Sequence, residues 1–213
     1  INPQLVMDGY KRKGLFSKKV PDWKGKTTKF SYILESLKEE MQNDPSQQTI
    51  VFCQFTDEIA MLQRLLKEAG MTTAVFDGST SQDYRRAIIN GEIDPQVLLI
   101  QIKCGGCGIN LQRFNRIFIT SPDWNPANEF QAIARAWRNG QKKQVKMTRI
   151  LLSRKEGKST IDQRIMQLQM EKTQLQAEVT RDDDLLKTHT YKITKGRNMG
   201  NLNASNYAQL LGV

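Results

Sequence analysis

The chain is poor in the residues that build metal and disulfide sites. Its 213 residues include three cysteines, Cys53, Cys104 and Cys107, and one histidine, His189. Three cysteines cannot make a disulfide framework, which makes a reducing compartment the default. Cys104 and Cys107 form a "CGGC" with metal-ligand spacing, but zinc needs a fourth ligand and His189 stands far off in a polar tail. Thioredoxin-type chemistry is harder to exclude, because the pair follows an apparent strand. Small residues lining a tight turn are the better reading. No run of about 18 apolar residues exists, so no membrane span is predicted. No stretch has the form of a secretory signal either, and the expectation is an intracellular protein.

A phosphate-binding loop is also missing, although one stretch imitates its end. Residues 25–28 read "GKTT", and the full loop needs a glycine five residues before Gly25, so that backbone can fold around phosphate oxygens. Val20 stands there, followed by Pro21, and the preceding "KRKGLFSKK" is no buried strand. What the chain has instead is positive charge. Lys and Arg number 32 against 22 Asp and Glu, a net charge of +10. That excess favours a polyanionic partner, nucleic acid before membrane, although charge that merely maintains solubility reads much the same. The chain opens on "INPQLV" without a Met, which suggests a piece of a longer protein.

Residues 1–26 are basic and irregular, a lead-in rather than a core. From residue 27 the pattern alternates. Phe30, Ile33, Leu34, Leu37 and Met41 recur at helical spacing until "NDP" at 43–45. Short apolar strands follow at 48–55, 71–78, 96–102, 115–120 and 144–152. Helices fall between them at 57–70, about 81–90 and 126–139. Strands alternating with helices predict an α/β fold with a mostly parallel sheet covered on both faces. Ligands of such sheets gather at the carboxyl ends of the strands, where "CGGCG" and "SPDWNP" fall. Beyond residue 158 a single long helix is predicted over 159–179, N-capped by Ser159 with Asp162 three residues on. Ile161, Ile165, Leu168 and Leu175 form its apolar side. The remainder, 181–213, is polar until "LNASNYAQLLGV", read as a short amphipathic helix.

The stretch richest in chemistry is "NEFQAIARAWRNGQ", residues 128–141. Gln131, Arg135 and Arg138 stand at i, i+4 and i+7, one polar stripe if the segment is helical. Ile133, Ala134 and Trp137 lie elsewhere around that helix, where they can pack. Two guanidinium forks on one side suit phosphate oxygens; an ordinary solvated helix face fits the pattern too. Gly105, Gly106 and Gly108 let backbone approach a phosphate closely, with Lys103 beside them. Gln54, Thr56 and Thr80 lie at strand or helix ends, where hydroxyl or amide groups can hold a nucleic-acid backbone or simply cap and close turns.

Taken in order, "TIVFCQFT", "FDGST", "GGCGINL", "SPDWNPA" and "QAIARAWRNGQ" resemble the second lobe of Swi/Snf-type DNA-dependent ATPases. The likeness spans about residues 27–180; "INPQLV" and "LNASNYAQLLG" resemble the segments that flank it. Lys26 and Lys29 resemble that family's Ser-Gly-Lys lead-in, so "GKTT" is not a phosphate loop. The resemblance implies a RecA-like, P-loop-NTPase-type lobe at 27–158, a C-terminal helical brace at 159–180, and a polar tail at 181–213 ending in a short helix. It implies ATP with Mg2+ as cofactor, bound mainly by a first RecA-like lobe of the same parent chain. Arg135 and Arg138 would be arginine fingers positioned by Gln131, and Gly106, Gly108 and Asn110 would face the nucleotide. Gln54, Thr56, Thr80, Lys103 and Gly105 would follow double-stranded DNA. A nuclear location and an inactive isolated lobe go with that reading, while Trp124 and Pro126 read as structural or coupling residues.

Two departures bear on it. Ala134 and Trp137 stand where the family has an Asp and a His, and Cys104 and Cys107 replace small apolar residues of the glycine turn. They leave open a divergent or viral member. They also leave open a degenerate lobe that binds nucleic acid or protein without catalysis, and a lobe of an RNA or single-strand helicase.

Overall fold

A computed structural model describes residues 27–106, 109–153, 159–180, 192–195 and 198–201. Helix α1 runs over Thr28–Asn43, with the Thr27 hydroxyl accepting from the Phe30 N–H, the usual N-cap arrangement. There follow β1 (Thr49–Cys53), α2 (Thr56–Glu68), β2 (Thr73–Phe76), α3 (Gln82–Asn90) and β3 (Val97–Gln101). A short 3-10 turn at Ile102–Gly106, β4 (Arg116–Ile119), α4 (Pro126–Ile133), β5 (Lys146–Arg149) and α5 (Ile161–Thr180) complete this series.

The five strands form one sheet in the order β2-β3-β1-β4-β5, every pairing parallel. Each strand lies within the range expected for it. The three inner strands are buried almost throughout, because helices cover both faces and leave no solvent side to alternate with. Ile50, Phe52, Leu98, Ile100, Ile117 and Ile119 point to one face, where Ile88 of α3 and Ala132 of α4 join them. Val51, Cys53, Val97, Leu99 and Phe118 point to the other, against α1 and α2. The edge strands differ. β2 buries only Ala74 and Phe76, and β5 exposes Lys146, a charge that discourages pairing at a free edge.

Two ion pairs pin helices to this sheet. Arg116 at the start of β4 donates to Glu40 of α1 at 2.6 Å and lies 4.0 Å over the Phe118 ring. Arg149 of β5 pairs with Glu129 of α4, whose side chain is only 1% exposed.

The chain divides into two compact units. One holds the described residues up to Ser121 together with Ala127–Ile150, and contains the sheet. The other holds Pro122–Pro126 and the described residues from Leu151 onward. In the second unit the cap of α5 differs from expectation. Thr160, not Ser159, accepts from the Gln163 N–H, while Gln163 accepts from the Thr160 N–H, a reciprocal capping box. Asp162 is drawn away to the Leu152 N–H at 2.8 Å. The buried face of α5 also differs: Asp162, Ile165, Met166, Gln169 and Thr173 line it, whereas Leu175 is 62% exposed. Gln169 and Lys172 donate to the carbonyls of Asp123 and Trp124. An antiparallel hairpin, β6 (Lys192–Lys195) with β7 (Asn198–Asn201), stands in the stretch read as polar tail. The basic lead-in with Lys26, the pair Cys107 and Gly108, and the short helix expected at the C-terminal end lie outside the described residues.

Candidate nucleotide and nucleic-acid surfaces

Because all five strands are parallel, their carboxyl ends share one edge. Chain connections leave β1 toward β3 and β2, and leave β4 toward β5, so β1 and β4 flank the topological switch point. Side chains of the protein itself occupy that place. Lys29 of α1 donates from Nζ to the Thr120 carbonyl at 2.9 Å and to Ser121 Oγ at 2.8 Å. Gln54, just past β1, donates from its amide to the Ser121 carbonyl at 3.3 Å. Its backbone N–H donates to the Glu58 carboxylate at 3.0 Å. Burial pushes the Glu58 carboxyl above its ordinary value; the bond from the Gln54 N–H and the Lys29 charge oppose that shift. Burial also raises the Cys53 thiol well above its usual range, with Glu58 adding to the effect, so this cysteine is a packed core group rather than a nucleophile. Thr56 opens α2 and is exposed.

The "DGST" stretch after β2 is a self-satisfied turn. Asp77 accepts from the Ser79 N–H at 2.9 Å, the Ser79 hydroxyl at 2.7 Å and the Thr80 hydroxyl at 3.0 Å. The Ser79 hydroxyl is the first cause that holds its carboxyl below the ordinary carboxylate value. Arg85 of α3 closes the turn, donating to the carbonyls of Asp77 at 2.7 Å and Thr80 at 2.9 Å. The Thr80 hydroxyl proton is thus engaged inside the turn.

After β3 the 3-10 turn carries exposed Lys103, half-buried Cys104, and Gly105 and Gly106. Asn110 is exposed and bends its own backbone, accepting from the Gln112 N–H at 3.1 Å.

The arginine segment departs most from expectation. Helix α4 opens with Pro126 at its first position, where no N–H is needed, and ends at Ile133 rather than 139. Arg135 and Ala136 then donate to Ala132 and Ile133 at three-residue spacing. Distant groups capture the carbonyls that a continuing helix would use. Leu111 N–H donates to the Arg135 carbonyl at 3.0 Å. The Gln141 amide donates to Gln112 at 2.7 Å, Ala136 at 3.2 Å and Phe114 at 3.4 Å. Gly140, at φ +101°, takes a backbone conformation that suits glycine. Gln131 therefore lies on α4 while Arg135 and Arg138 lie on the turn beyond it, and the single helical stripe is not formed. Arg135 is half-buried. Arg138 is exposed, and its side chain makes no hydrogen bond or ion pair among the described residues. Ala132 and Ala136 pack, whereas Ala134 is exposed and Trp137 is 72% exposed, the reverse of the packing expected for those two. Sequence reasoning missed Gln141, Glu58 and the Glu129–Arg149 pair; only the carboxylate inside an otherwise apolar helix face hinted at Glu129.

Fold and site together define a RecA-like lobe. A family model described as the helicase conserved C-terminal domain matches residues 29–140, more than half of the chain. The chain belongs to that family, in its Swi/Snf-type branch. It is 38% identical over 153 residues to a DNA repair protein RAD5 of Cryptococcus neoformans, covering 70% of this chain and 12% of that protein. It is 35% identical over 149 residues to the DNA repair and recombination protein RAD54 of rice, Oryza sativa, covering 68% and 15%. A crystal structure of the C-terminal part of the Fun30 ATPase domain superposes with a TM-score of 0.60 at 25% identity, covering 78% of this chain and 52% of that one. The chain thus spans less than a fifth of either of these two relatives. They come from a fungus and a plant, and neither supports a viral origin.

Proposed function

We propose that this chain is the second motor lobe of an ATP-dependent, double-stranded-DNA translocase, acting in the nucleus on ATP held by a first lobe of its parent protein. The observation that carries the reading is Arg138. An exposed guanidinium with no partner among the described residues stands on a turn whose backbone Gln141 holds fixed, in a chain similar to RAD5 and RAD54 repair proteins. A rigid fork without an internal partner suits phosphate oxygens. Arg135 supplies a second fork, and Gln131 on the adjoining helix orients the pair. Gly106, Gly108 and Asn110 border the nucleotide.

ATP with Mg2+ supplies the phosphoryl group whose developing charge such arginines stabilise. In this reading the magnesium is held mainly by the parent's other lobe, through one or two carboxylates and the phosphates of ATP itself. On the nucleic-acid side, Gln54, Thr56, Lys103 and Gly105 hold the phosphate backbone. Thr80 serves through the turn it closes with Asp77. Such contacts position a protein without reading base sequence, as a motor on any duplex requires.

The test is steady-state ATPase of the full-length parent with and without duplex DNA, beside Arg135→Ala and Arg138→Ala. The expected outcome is stimulation by duplex DNA above that by single strands or RNA, lost in both variants while DNA binding persists. The chain alone is expected to bind DNA weakly and turn over no ATP; appreciable turnover by it contradicts the reading. A second reading, a degenerate binding lobe, draws on Trp137, whose exposed indole replaces the family's imidazole. A parent that hydrolyses no ATP favours it.

A further inference from the structure

The switch point between β1 and β4 holds a lysine that the proposed chemistry does not use. Lys29 reaches from α1 across 91 residues of sequence to the Thr120 carbonyl and the Ser121 hydroxyl. Ser121 in turn accepts, at its carbonyl, the side-chain amide of Gln54. The Gln54 backbone N–H is fixed separately by Glu58. Gln54 is therefore held at both ends, its main chain by a buried carboxylate and its amide by a carbonyl whose own residue Lys29 anchors. One amide proton is committed to Ser121, and the geometry leaves the amide with a defined orientation.

We infer that Lys29 is a positioning residue for Gln54, acting through Ser121, and not itself a phosphate contact. This rests on the reading of Gln54 as a nucleic-acid contact. Both nitrogen-to-oxygen distances at Lys29 are those of direct hydrogen bonds. Its charge also acts on buried Glu58, opposing the upward shift of that carboxyl. A neutral amide aimed at a phosphate needs such support, because it has no charge of its own to draw the backbone in.

The test is equilibrium binding of fluorescent duplex DNA to the full-length protein over a salt series, for wild type, Lys29→Met, Lys29→Arg, Ser121→Ala, Gln54→Ala and the Lys29→Met/Gln54→Ala pair. The expected result for Lys29→Met is affinity lower by about tenfold, the scale of one hydrogen bond to a charged group. Its salt slope stays that of wild type, since no counterion-releasing contact is lost. Ser121→Ala should show a smaller loss, and Lys29→Arg should restore most of the affinity. In the Gln54→Ala background Lys29→Met should add nothing, the signature of one shared chain of contacts. A slope reduced by about 1 makes Lys29 a direct phosphate contact and overturns the inference. Unchanged affinity in Lys29→Met and Ser121→Ala overturns it alone. Absence of duplex binding by the wild type overturns the translocase reading and the inference with it.

Discussion

Two regions of the sheet-bearing unit use polar side chains in opposite ways. At the heads of β1 and β4, Lys29, Gln54, Glu58 and Ser121 are spent on one another. On the turn after α4 the backbone is spent instead. Carbonyls of Ala136 and Arg135 are taken by Gln141 and Leu111, while Trp137 and Arg138 project outward. The first region holds a frame, and the second holds a loop that presents Trp137 and Arg138 outward. Substitutions in the two should therefore separate activity from stability.

The largest effect is expected from Arg138→Ala. Its guanidinium does nothing for the described residues, so the melting temperature should stay within about one degree, small beside the few degrees that 1 kcal/mol produces. ATPase of the full-length parent should fall by about 10³ or more, the scale of an arginine finger. Arg138→Lys, which keeps charge but loses the fork, should rescue little. A fall in stability that matches the fall in rate would remove the contrast between the two regions.

Next comes Glu129→Ala, which should affect stability above all. It leaves the Arg149 guanidinium, 8% exposed, without its carboxylate. Breaking a buried pair from one side costs about 3 kcal/mol, read as a lower urea midpoint at unchanged slope. A loss under about 1 kcal/mol would mean that the other surroundings of Arg149 suffice. Gln141→Ala should lie between the classes. It uncovers three carbonyls and frees the arginine turn, for a cost of about 1–2 kcal/mol. ATPase should fall about tenfold or more at saturating DNA, because misplacing a catalytic group is costly. If stability falls and ATPase does not, the turn is not what places the arginines.

How far the sequence discloses these regions follows from the range of the forces involved. The inner strands "TIVFC", "VLLIQ" and "RIFI" are legible because burial on both faces writes a continuous apolar run. The capping of α1 by Thr27 is equally local. Helix α4 reads too long because nothing within 128–141 shows that Leu111 and the Gln141 amide, reaching back to 112 and 114, will capture the last turn. The cap of α5 is displaced by one residue because Asp162 has a tertiary partner in Leu152. Lys29 matches a family lead-in, but its partner 92 residues away has no local signature. The hairpin at 192–201 pairs polar strands, which periodicity in hydrophobicity does not detect. Motif order marked the arginines; it could not show that their carbonyls, rather than their helix, fix them.

The smallest effect, and the one specific to the first region, is the pH dependence of Glu58. Its carboxyl is raised above the ordinary 4.5, chiefly by burial. Above 4.5 the unfolded chain gives up this proton while the folded one keeps it, so the folded state binds more protons and stability falls as pH rises toward the folded value. Glu58→Gln keeps an acceptor for the Gln54 N–H but has no proton to lose. Its melting temperature relative to wild type should climb from pH 4.5 upward and then level off. The Lys29 charge opposes the shift, so in the Lys29→Met background that climb should be steeper and extend to higher pH. A difference that stays flat across the range would mean that Glu58 is solvated in the folded state. A climb unaltered by Lys29→Met would mean that the ammonium answers to Thr120 and Ser121 alone, and that the frame at the heads of β1 and β4 is two separate contacts.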